Sequence, residues 1–513
     1  MIPRPSLYYP RHNLADLLAT TASRSAESTA IVFDGERLSF RELDALSNSL
    51  ANALIDDGLV PGTRVYLAMA TCLEWPIALF GVLRAGGVVV AANPRWNLEE
   101  TGHAFDTVAP GLFITDPTSR DAAEASGIPL LTVDPGHRGT LWDAVRGHSA
   151  EPPRPIERDW ERDEALLFFS SGTTGLPKAV RHSHFSFGAS VINWKSAIGL
   201  QFPDKQQFPL PLFTGLGVST LVGSAMGGAA VYLSVAPGVD DLLGEIQRER
   251  ITHSIQVAPV AQRIARHPGI EDYDLSSIRV LAWVATAVSP AVADEVTRRT
   301  GVHWVVGYGM TECLGLTCNP AEYPEQCRID SVGPARSDGR LRVVDPETLE
   351  DVPQGEEGEL IAKSPAIMLG YLPESANEGV FTPDGWLRTG DIARIEEDGW
   401  VVITDRLKDL IKVSGLQVAP AEVEAALLEH PGIADCAVVG APDETTGEKP
   451  VAFVVAGTPV TEAELLGWLA ERLSTYKRPS RVFLVDDIPR TASGKTLRRD
   501  LKTIAAERIA EPA

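Results

Sequence analysis

Apolar residues recur along this chain in two alternating periods. Residues 16–30 and 41–57 carry apolar side chains three and four apart, the spacing of one helix face, and Ser39 stands where the second helix needs an N-cap. Short, nearly continuous apolar runs at 65–70 and 88–91 predict buried strands, with a helical pattern at 74–85 between them. The rhythm returns as strands at 251–257 and 280–284 and a helix at 290–300. Strands alternating with helices in this way predict an α/β fold, a largely parallel sheet with helices on both faces. After Gly333 the texture changes to short strands at 340–344 and 358–363, punctuated by Asp384-Gly385 and Asp398-Gly399 turns. From Val418 onward the pattern reads helix (422–429), strands (436–440, 450–455), helix (462–472) and strand (481–484), a small α+β unit.

One segment tests the reading as a globular chain. No charged residue lies between Leu210 and Val239, a span longer than the ~20 residues that cross a bilayer. It contains Pro211, Pro237 and Gly227-Gly228, and is expected to fold as a small-residue helix at 218–226 and a strand at 229–235, with no membrane span. No apolar h-region follows Met1, so no signal peptide is expected. Of the 513 residues, 44% are hydrophobic and 22% charged, enough for a sizeable core. The formal charge of −23 argues against nucleic acid as a partner, so an anion site here must build its own positive field. Five cysteines with no CxxC pair fit a reducing, cytoplasmic setting.

The most informative stretch begins where the apolar run Leu166-Leu167-Phe168-Phe169 breaks into Ser170-Ser171-Gly172-Thr173-Thr174-Gly175-Leu176-Pro177-Lys178. Two glycines permit close backbone approach, converging N–H groups make an anion cradle, and the hydroxyls and Lys178 add donors. This suits a polyphosphate, although the lysine follows Leu-Pro and the loop is not a Walker A motif. Farther on, Gly307-Tyr308-Gly309-Met310-Thr311-Glu312 is expected as a turn at a strand end. It offers an aromatic face for a planar ring and a hard oxygen ligand, and phosphate-bound Mg²⁺ takes only one or two such carboxylates. Thr389-Gly390-Asp391 supplies a carboxylate for ribose hydroxyls. Asp405-Arg406 opens a charged turn, Lys412-Val413-Ser414-Gly415 follows it, and Ala492-Ser493-Gly494-Lys495 puts a lysine on a loop near the end.

Taken together and in order, these motifs resemble the adenylate-forming superfamily of acyl-CoA synthetases, peptide-synthetase adenylation domains and beetle luciferases, and most of all the acyl-CoA synthetases. The resemblance implies an N-terminal domain over 1–404 and a mobile C-terminal domain over 405–513 hinged near Asp405. It implies an acyl-CoA ligase that activates a carboxylic acid with ATP and Mg²⁺ as an acyl-adenylate and passes the acyl group to CoA by domain alternation. Ser170, Ser171, Gly172, Thr173, Thr174, Gly175 and Lys178 would hold the leaving phosphates, Tyr308 the adenine, and Asp391 and Arg406 the ribose. Thr311 would lie near the α-phosphate, Glu312 on Mg²⁺, and Lys495 across the carboxylate and α-phosphate oxygens. After rotation Lys412, Ser414 and Gly415 would meet CoA. Matched pocket segments place Trp194, Thr214, Trp283, Val284, Val306, Gly309 and Cys313 around the acyl group. A homodimer is the assembly left open.

The chain also departs from the family pattern. Ala179 replaces a glycine, Thr214 a histidine, the segment Val284-Ala285-Thr286-Ala287-Val288 a Gly-Ala-Ala-Pro-Leu, and Val306 a polar residue. These changes keep two alternatives open: a ligase restricted to thioester formation from a ready-made acyl-adenylate, and a module that loads a carrier protein. The pocket set is mostly apolar and has no carboxylate for an amino-acid ammonium, which points to an apolar acid.

Overall fold

Two large sheets take up the alternating strands and trap four helices between them. The computed structural model describes residues 7–510 except 171–176, 287–289, 337, 415, 444 and 492–493. One sheet runs, in spatial order, Cys313–Cys318, Trp304–Met310, Val280–Trp283, His253–Gln256, Lys205–Phe208, Ala230–Leu233, Thr29–Phe33 and Glu36–Ser39. The other runs Gly370–Leu372, Lys178–Ser183, Glu164–Ser170, Val88–Ala91, Arg64–Ala68, Leu112–Thr115 and Leu130–Thr132. Both are parallel in their centres and antiparallel at the margins that approach the site. The helices Phe40–Asp56, Glu74–Arg84, His184–Ile198 and Gly215–Gly227 pack between them, and one apolar core cluster contains residues of both sheets and all four helices. A helix apolar on every side is buried on every side. The uncharged segment accordingly folds as the helix Gly215–Gly227 and the strand Ala230–Leu233. No described helix is long and apolar enough to cross a membrane.

Local signals set most boundaries. Ser39 accepts from the Glu42 N–H while Glu42 reaches back to the Ser39 N–H, so the helix Phe40–Asp56 begins with a full capping box. The first helix is shorter than expected. It ends at Arg24, and residues 29 and 30 enter the strand Thr29–Phe33, because the run Thr-Ala-Ile-Val-Phe is rich in β-branched and aromatic residues and pairs parallel with Ala230–Leu233.

A four-stranded antiparallel sheet, Arg340–Val344, Gly358–Lys363, Leu387–Ile395 and Val401–Arg406, follows the two large sheets. The small C-terminal domain is built on a further sheet, Leu416–Val418, Ile411–Val413, Gly447–Ala456 and Ile433–Asp443, with Arg481–Leu484 on Gly447–Ala456. Gly333 shows how tightly the central sheet is joined to the four-stranded one. Its φ is +82°, and a Cβ there would lie 2.2 Å from the Cys318 carbonyl carbon. The variant Gly333→Ala is expected to destabilise the large domain by roughly 3 kcal/mol or more, combining backbone strain with an unavoidable clash. Thermal unfolding followed by calorimetry should show the loss in the large-domain transition.

Candidate active site

The strand Trp304–Met310 extends through Tyr308 where the sequence suggested a turn, because Cys313–Cys318 folds back and pairs with it. The register slips between Tyr308 and Met310, at Gly309, where a Cβ would lie 2.7 Å from the Gly315 backbone nitrogen. The turn itself is reduced to Thr311 and Glu312. Asp391 and Arg406 face each other across the neighbouring strands Leu387–Ile395 and Val401–Arg406. The Tyr308 hydroxyl donates to Asp391 Oδ2 at 2.5 Å, and Arg406 Nε donates to Oδ1 at 2.9 Å. Burial, with the Asp391 carboxylate beside it, pushes the Tyr308 hydroxyl far above its ordinary range, so it stays a donor. Asp391 is 3% exposed and is held from both sides, yet each carboxylate oxygen retains a lone pair for a further donor.

A second carboxylate is held the same way. Glu312 is buried, and its Oε1 accepts from the Tyr371 hydroxyl at 2.5 Å. Lys178 Nζ lies 3.3 Å from the centroid of the same tyrosine ring. Burial lowers the lysine's pKa, and the Glu312 charge opposes that shift. Tyr371 reaches this place because Gly370–Leu372 pairs antiparallel with Lys178–Ser183. Ser170 and Lys178 are register partners across the strands that bracket the hydroxyl-rich loop. Ser170 Oγ is buried and has no hydrogen-bond partner among the described residues. Ser171, Gly172, Thr173, Thr174 and Gly175 lie outside the described residues.

Beneath the Thr311–Glu312 turn, His182 Nε2–H donates to the Thr311 carbonyl at 2.8 Å, and Nδ1 accepts from Ser186 at 3.1 Å. Burial lowers the His182 pKa to about 4, which keeps the ring neutral and this tautomer in place. Lys495, carried by the small domain, is electrostatically coupled to Arg406, Glu312, Asp391 and Lys408. Its residue is accessible from the cleft, yet enough protein surrounds its ammonium for burial to lower the pKa, with Arg406 and Lys408 adding to the effect and the two carboxylates opposing it. Lys408 has the same surroundings. Four cations, Lys178, Arg406, Lys408 and Lys495, thus gather around two carboxylates, a local positive excess in an acidic chain.

Tyr371, His182 and Lys408 were not singled out by the sequence. Tyr371 and His182 look like ordinary core residues in their strands, and Lys408 like one charge among several in a turn. Asp405 is 8% exposed and still belongs to the strand Val401–Arg406. Its carboxylate accepts from the Arg406 N–H at 2.6 Å and from the Ala421 N–H at 3.2 Å, at the start of the helix Pro420–Leu428. Burial raises its pKa to about 6. Lys412 and Ser414 are exposed on the hairpin of Ile411–Val413 and Leu416–Val418, and Gly415 lies outside the described residues.

The acyl-pocket set is brought together only in part. Trp194 is buried, stands against Gly307 and Gly315, shares its core cluster with Val284, and has no partner for its indole N–H. Cys313 packs with Tyr308, Met310 and Tyr371, and burial raises its thiol to about 12. Trp283 does not join them. Neighbouring strand residues face opposite sides, so while Val284 falls in the same core cluster as Trp194, Trp283 packs edge-on against Trp304 in a separate core and donates to Thr286 Oγ1 at 3.1 Å. Thr214 caps the helix Gly215–Gly227, accepting from the Gly217 N–H at 3.0 Å. Val306 is buried, and its carbonyl accepts from both the backbone and the side chain of Asn319. Ala179 is buried between Phe169 and Leu372 in the sheet.

These residues fit a magnesium nucleotide. One oxygen of Glu312 has no protein partner described, Asp391 has spare lone pairs, Ser170 offers an unpaired hydroxyl, and the surrounding charge is positive.

The model of the AMP-binding enzyme family matches residues 18–372, and that of its C-terminal domain matches residues 422–495. 4-Coumarate–CoA ligase 5 of Oryza sativa subsp. japonica is 33% identical over 93% of this chain and 91% of its own length. ATP-bound MatB from Rhodopseudomonas palustris superposes with a TM-score of 0.89 at 28% identity, covering 96% of this chain and 99% of that one; its apo form gives 0.78. The anthranilate CoA ligase AuaEII in complex with anthranoyl-AMP gives 0.89 at 26% identity, covering 98% and 99%.

The buried histidine makes a pH prediction. With a folded pKa near 4 against about 6.5 when unfolded, His182 leaves the unfolded chain holding the extra proton between those values. Its contribution is complete above about pH 6.5 and is lost as the pH falls towards 4, a change of about 3 kcal/mol. Asp405, raised to about 6, works in the opposite sense between about pH 4 and 6. In thermal unfolding measured against pH, His182→Gln is expected to flatten the acid slope by about one proton.

Proposed function

This chain belongs to the AMP-binding enzyme family and is an acid–thiol ligase that uses ATP, Mg²⁺ and CoA; from that premise we propose that it activates a mostly apolar carboxylic acid as an acyl-adenylate and, after its small domain rotates, transfers the acyl group to CoA. The observation that carries this reading is the convergence of Tyr308, Asp391, Glu312 and Lys178 from the large domain with Arg406, just past the domain junction, and Lys495 from the small domain. We place the domain boundary at 404/405. The Asp405 carboxylate, which joins the last large-domain strand to the first small-domain helix, supports a hinge there. Few dihedrals need change for such a rotation.

In the first half-reaction the acid's carboxylate attacks the α-phosphorus of ATP, and pyrophosphate leaves. Lys178, Ser170 and the adjoining loop receive the β- and γ-phosphates. Asp391, oriented by Tyr308 and Arg406, accepts from the ribose hydroxyls, while the Tyr308 ring borders the adenine. Glu312, fixed by Tyr371, holds Mg²⁺, which when bound neutralises phosphate charge. Thr311 lies near the α-phosphate, on a turn whose carbonyl is tied down by neutral His182. Lys495 stabilises the negative charge that builds on the α-phosphate and carboxylate oxygens, and a preorganised cation of this kind is worth far more in a dry cleft than in water. In the second half-reaction Lys495 is withdrawn, and the hairpin bearing Lys412, Ser414 and Gly415 guides the CoA thiol to the acyl carbon, releasing AMP.

The departures from the family pattern are absorbed by packing: Ala179 fills core, Thr214 caps a helix, and Val284 and Val306 are buried. That supports both half-reactions over the thioester-only alternative; Ala287 lies outside the described residues. Relatives named as CoA ligases support CoA over a carrier protein. The apolar surroundings of Trp194, Val284 and Cys313, with relatives named for coumarate and anthranilate, favour an aromatic acid. All five cysteines are unpaired thiols, which supports a reducing, cytoplasmic location.

Pyrophosphate release is to be followed with ATP, Mg²⁺ and a panel of aromatic and aliphatic acids, with and without CoA. An aromatic acid is expected to turn over best. Lys495→Ala is expected to lower adenylation at least about 100-fold while leaving thioester formation from a synthetic acyl-adenylate within about threefold. Acyl-CoA from the acyl-adenylate without pyrophosphate from any acid would defeat the full-ligase reading. Equal loss of both steps in Lys495→Ala would defeat domain alternation.

A further inference from the structure

Lys495 lies on a loop of the small domain within electrostatic range of Glu312 and Asp391, and a chain of side-chain contacts ties that loop back to the large domain. It starts at Arg266, immediately after the helix Ala258–Ala265. Arg266 Nη2 donates to the Ile433 carbonyl at 2.8 Å and Nη1 to the Ala434 carbonyl at 3.1 Å. Both acceptors lie at the start of the strand Ile433–Asp443, where its pairing with Gly447–Ala456 slips between Ile433 and Asp435. Next in sequence, Asp435 accepts from Arg490 Nη2 through both carboxylate oxygens, at 2.9 and 2.7 Å. Arg490 Nη1 then donates to the Gly494 carbonyl at 3.0 Å and to Thr496 Oγ1 at 3.1 Å, the residues on either side of Lys495. Thr491 closes the loop: its N–H donates to the Lys495 carbonyl at 2.7 Å, and its Oγ1 accepts from the Lys495 N–H at 3.1 Å.

We propose that Arg266, Asp435 and Arg490 are positioning residues for adenylation, forming a relay in which Arg266 holds the small domain in this orientation and Arg490 sets the loop that presents Lys495. The relay rests on the reading of Lys495 given above. A lysine side chain is a point charge on a flexible stem, so its loop must be fixed if the ammonium is to meet a charge that exists only in the transition state. Misplacement by about 1 Å can cost about 100-fold in rate. The Arg490 guanidinium is committed to this task on both terminal nitrogens, bridging the strand to the loop, and a planar fork between a carboxylate on one side and a carbonyl and a hydroxyl on the other is a geometry lysine cannot supply. Arg266 makes its two bonds to backbone carbonyls of the other domain. Rotation of the small domain must break them, so they bias the molecule towards the adenylating orientation and have no part in the thioester step.

Two measurements on the full chain test the relay. The first needs no substrate. Amide hydrogen exchange without nucleotide is expected to run at least about fivefold faster over residues 490–497 in Arg490→Ala and in Arg266→Ala than in the wild type, with the core strand Val88–Ala91 unchanged. The second compares half-reactions. Adenylation is expected to fall about 50- to 100-fold in Arg490→Ala and about 10-fold in Arg266→Ala, with thioester formation from a supplied acyl-adenylate within about twofold of the wild type in both. Wild-type exchange over 490–497 in either variant, or adenylation and thioester formation falling together, overturns the relay. A wild-type enzyme that releases no pyrophosphate with any acid defeats the functional reading instead, and the exchange measurement alone then decides the relay.

Discussion

The structure depends on holding two buried carboxylates charged in one cleft. Asp391 and Glu312 are almost fully buried, and ionised groups taken out of water require partners. Each has a tyrosine hydroxyl as its near partner, and Arg406, Lys178, Lys408 and Lys495 surround the pair. In a chain with a formal charge of −23, that concentration of cations is what allows a polyphosphate to approach. The arrangement is self-limiting. Lys178, Lys408 and Lys495 all have lowered pKa values because burial disfavours their charge, with other cations nearby adding to the effect, and an incoming anion relieves both.

The scaffold for this cleft is a packed interior rather than a flexible surface. The two large sheets and four helices share one apolar core, and the strand margins that leave this core carry the site. Lys178–Ser183, Gly370–Leu372 and the hairpin of Trp304–Met310 with Cys313–Cys318 are antiparallel additions to parallel sheets. Trp304–Met310 itself pairs parallel with Val280–Trp283, so the antiparallel member of that hairpin is Cys313–Cys318. Gly309 and Gly333 stand where backbones come too close for any side chain, which gives these glycines a mechanical role distinct from that of the phosphate loop.

The second domain makes a rigid site conditional. Asp405 links the last strand of the four-stranded sheet to the first helix of the small domain, and Arg266 grips the small domain's strand from the far side. These two sets of hydrogen bonds join the small domain to the large one at separate points. Each consists of a few hydrogen bonds, weak enough singly to be exchanged for others during a catalytic cycle. The closer likeness to the ATP-bound than to the apo form of the MatB structure agrees with the orientation seen here.

Much of this was legible in the residues. The α/β rhythm, the Ser39 cap, the strands at 88–91, 340–344, 358–363 and 481–484, the helix at 290–300 and the fate of the uncharged 210–239 segment follow from periodicity and turn chemistry, which are local properties. The motif residues Tyr308, Glu312, Asp391, Arg406 and Lys495 could be named because the spacing of unusual residue types resembles a known family. What the sequence could not contain was which ordinary residues complete the site. Tyr371, His182 and Arg266 have no distinguishing neighbours in the chain, and Arg490, although it stands beside the Lys495 loop, gives no sign there of its partner Asp435; their contacts come from strand register and domain docking, which join positions far apart in sequence. The same non-local facts decided that Trp283 joins the core around Trp304 while Val284 joins the one that holds Trp194, because the side of a sheet to which a residue points is set by pairing across the whole sheet. Local chemistry therefore determined the elements and the reacting groups, and tertiary packing determined which further side chains hold them in place.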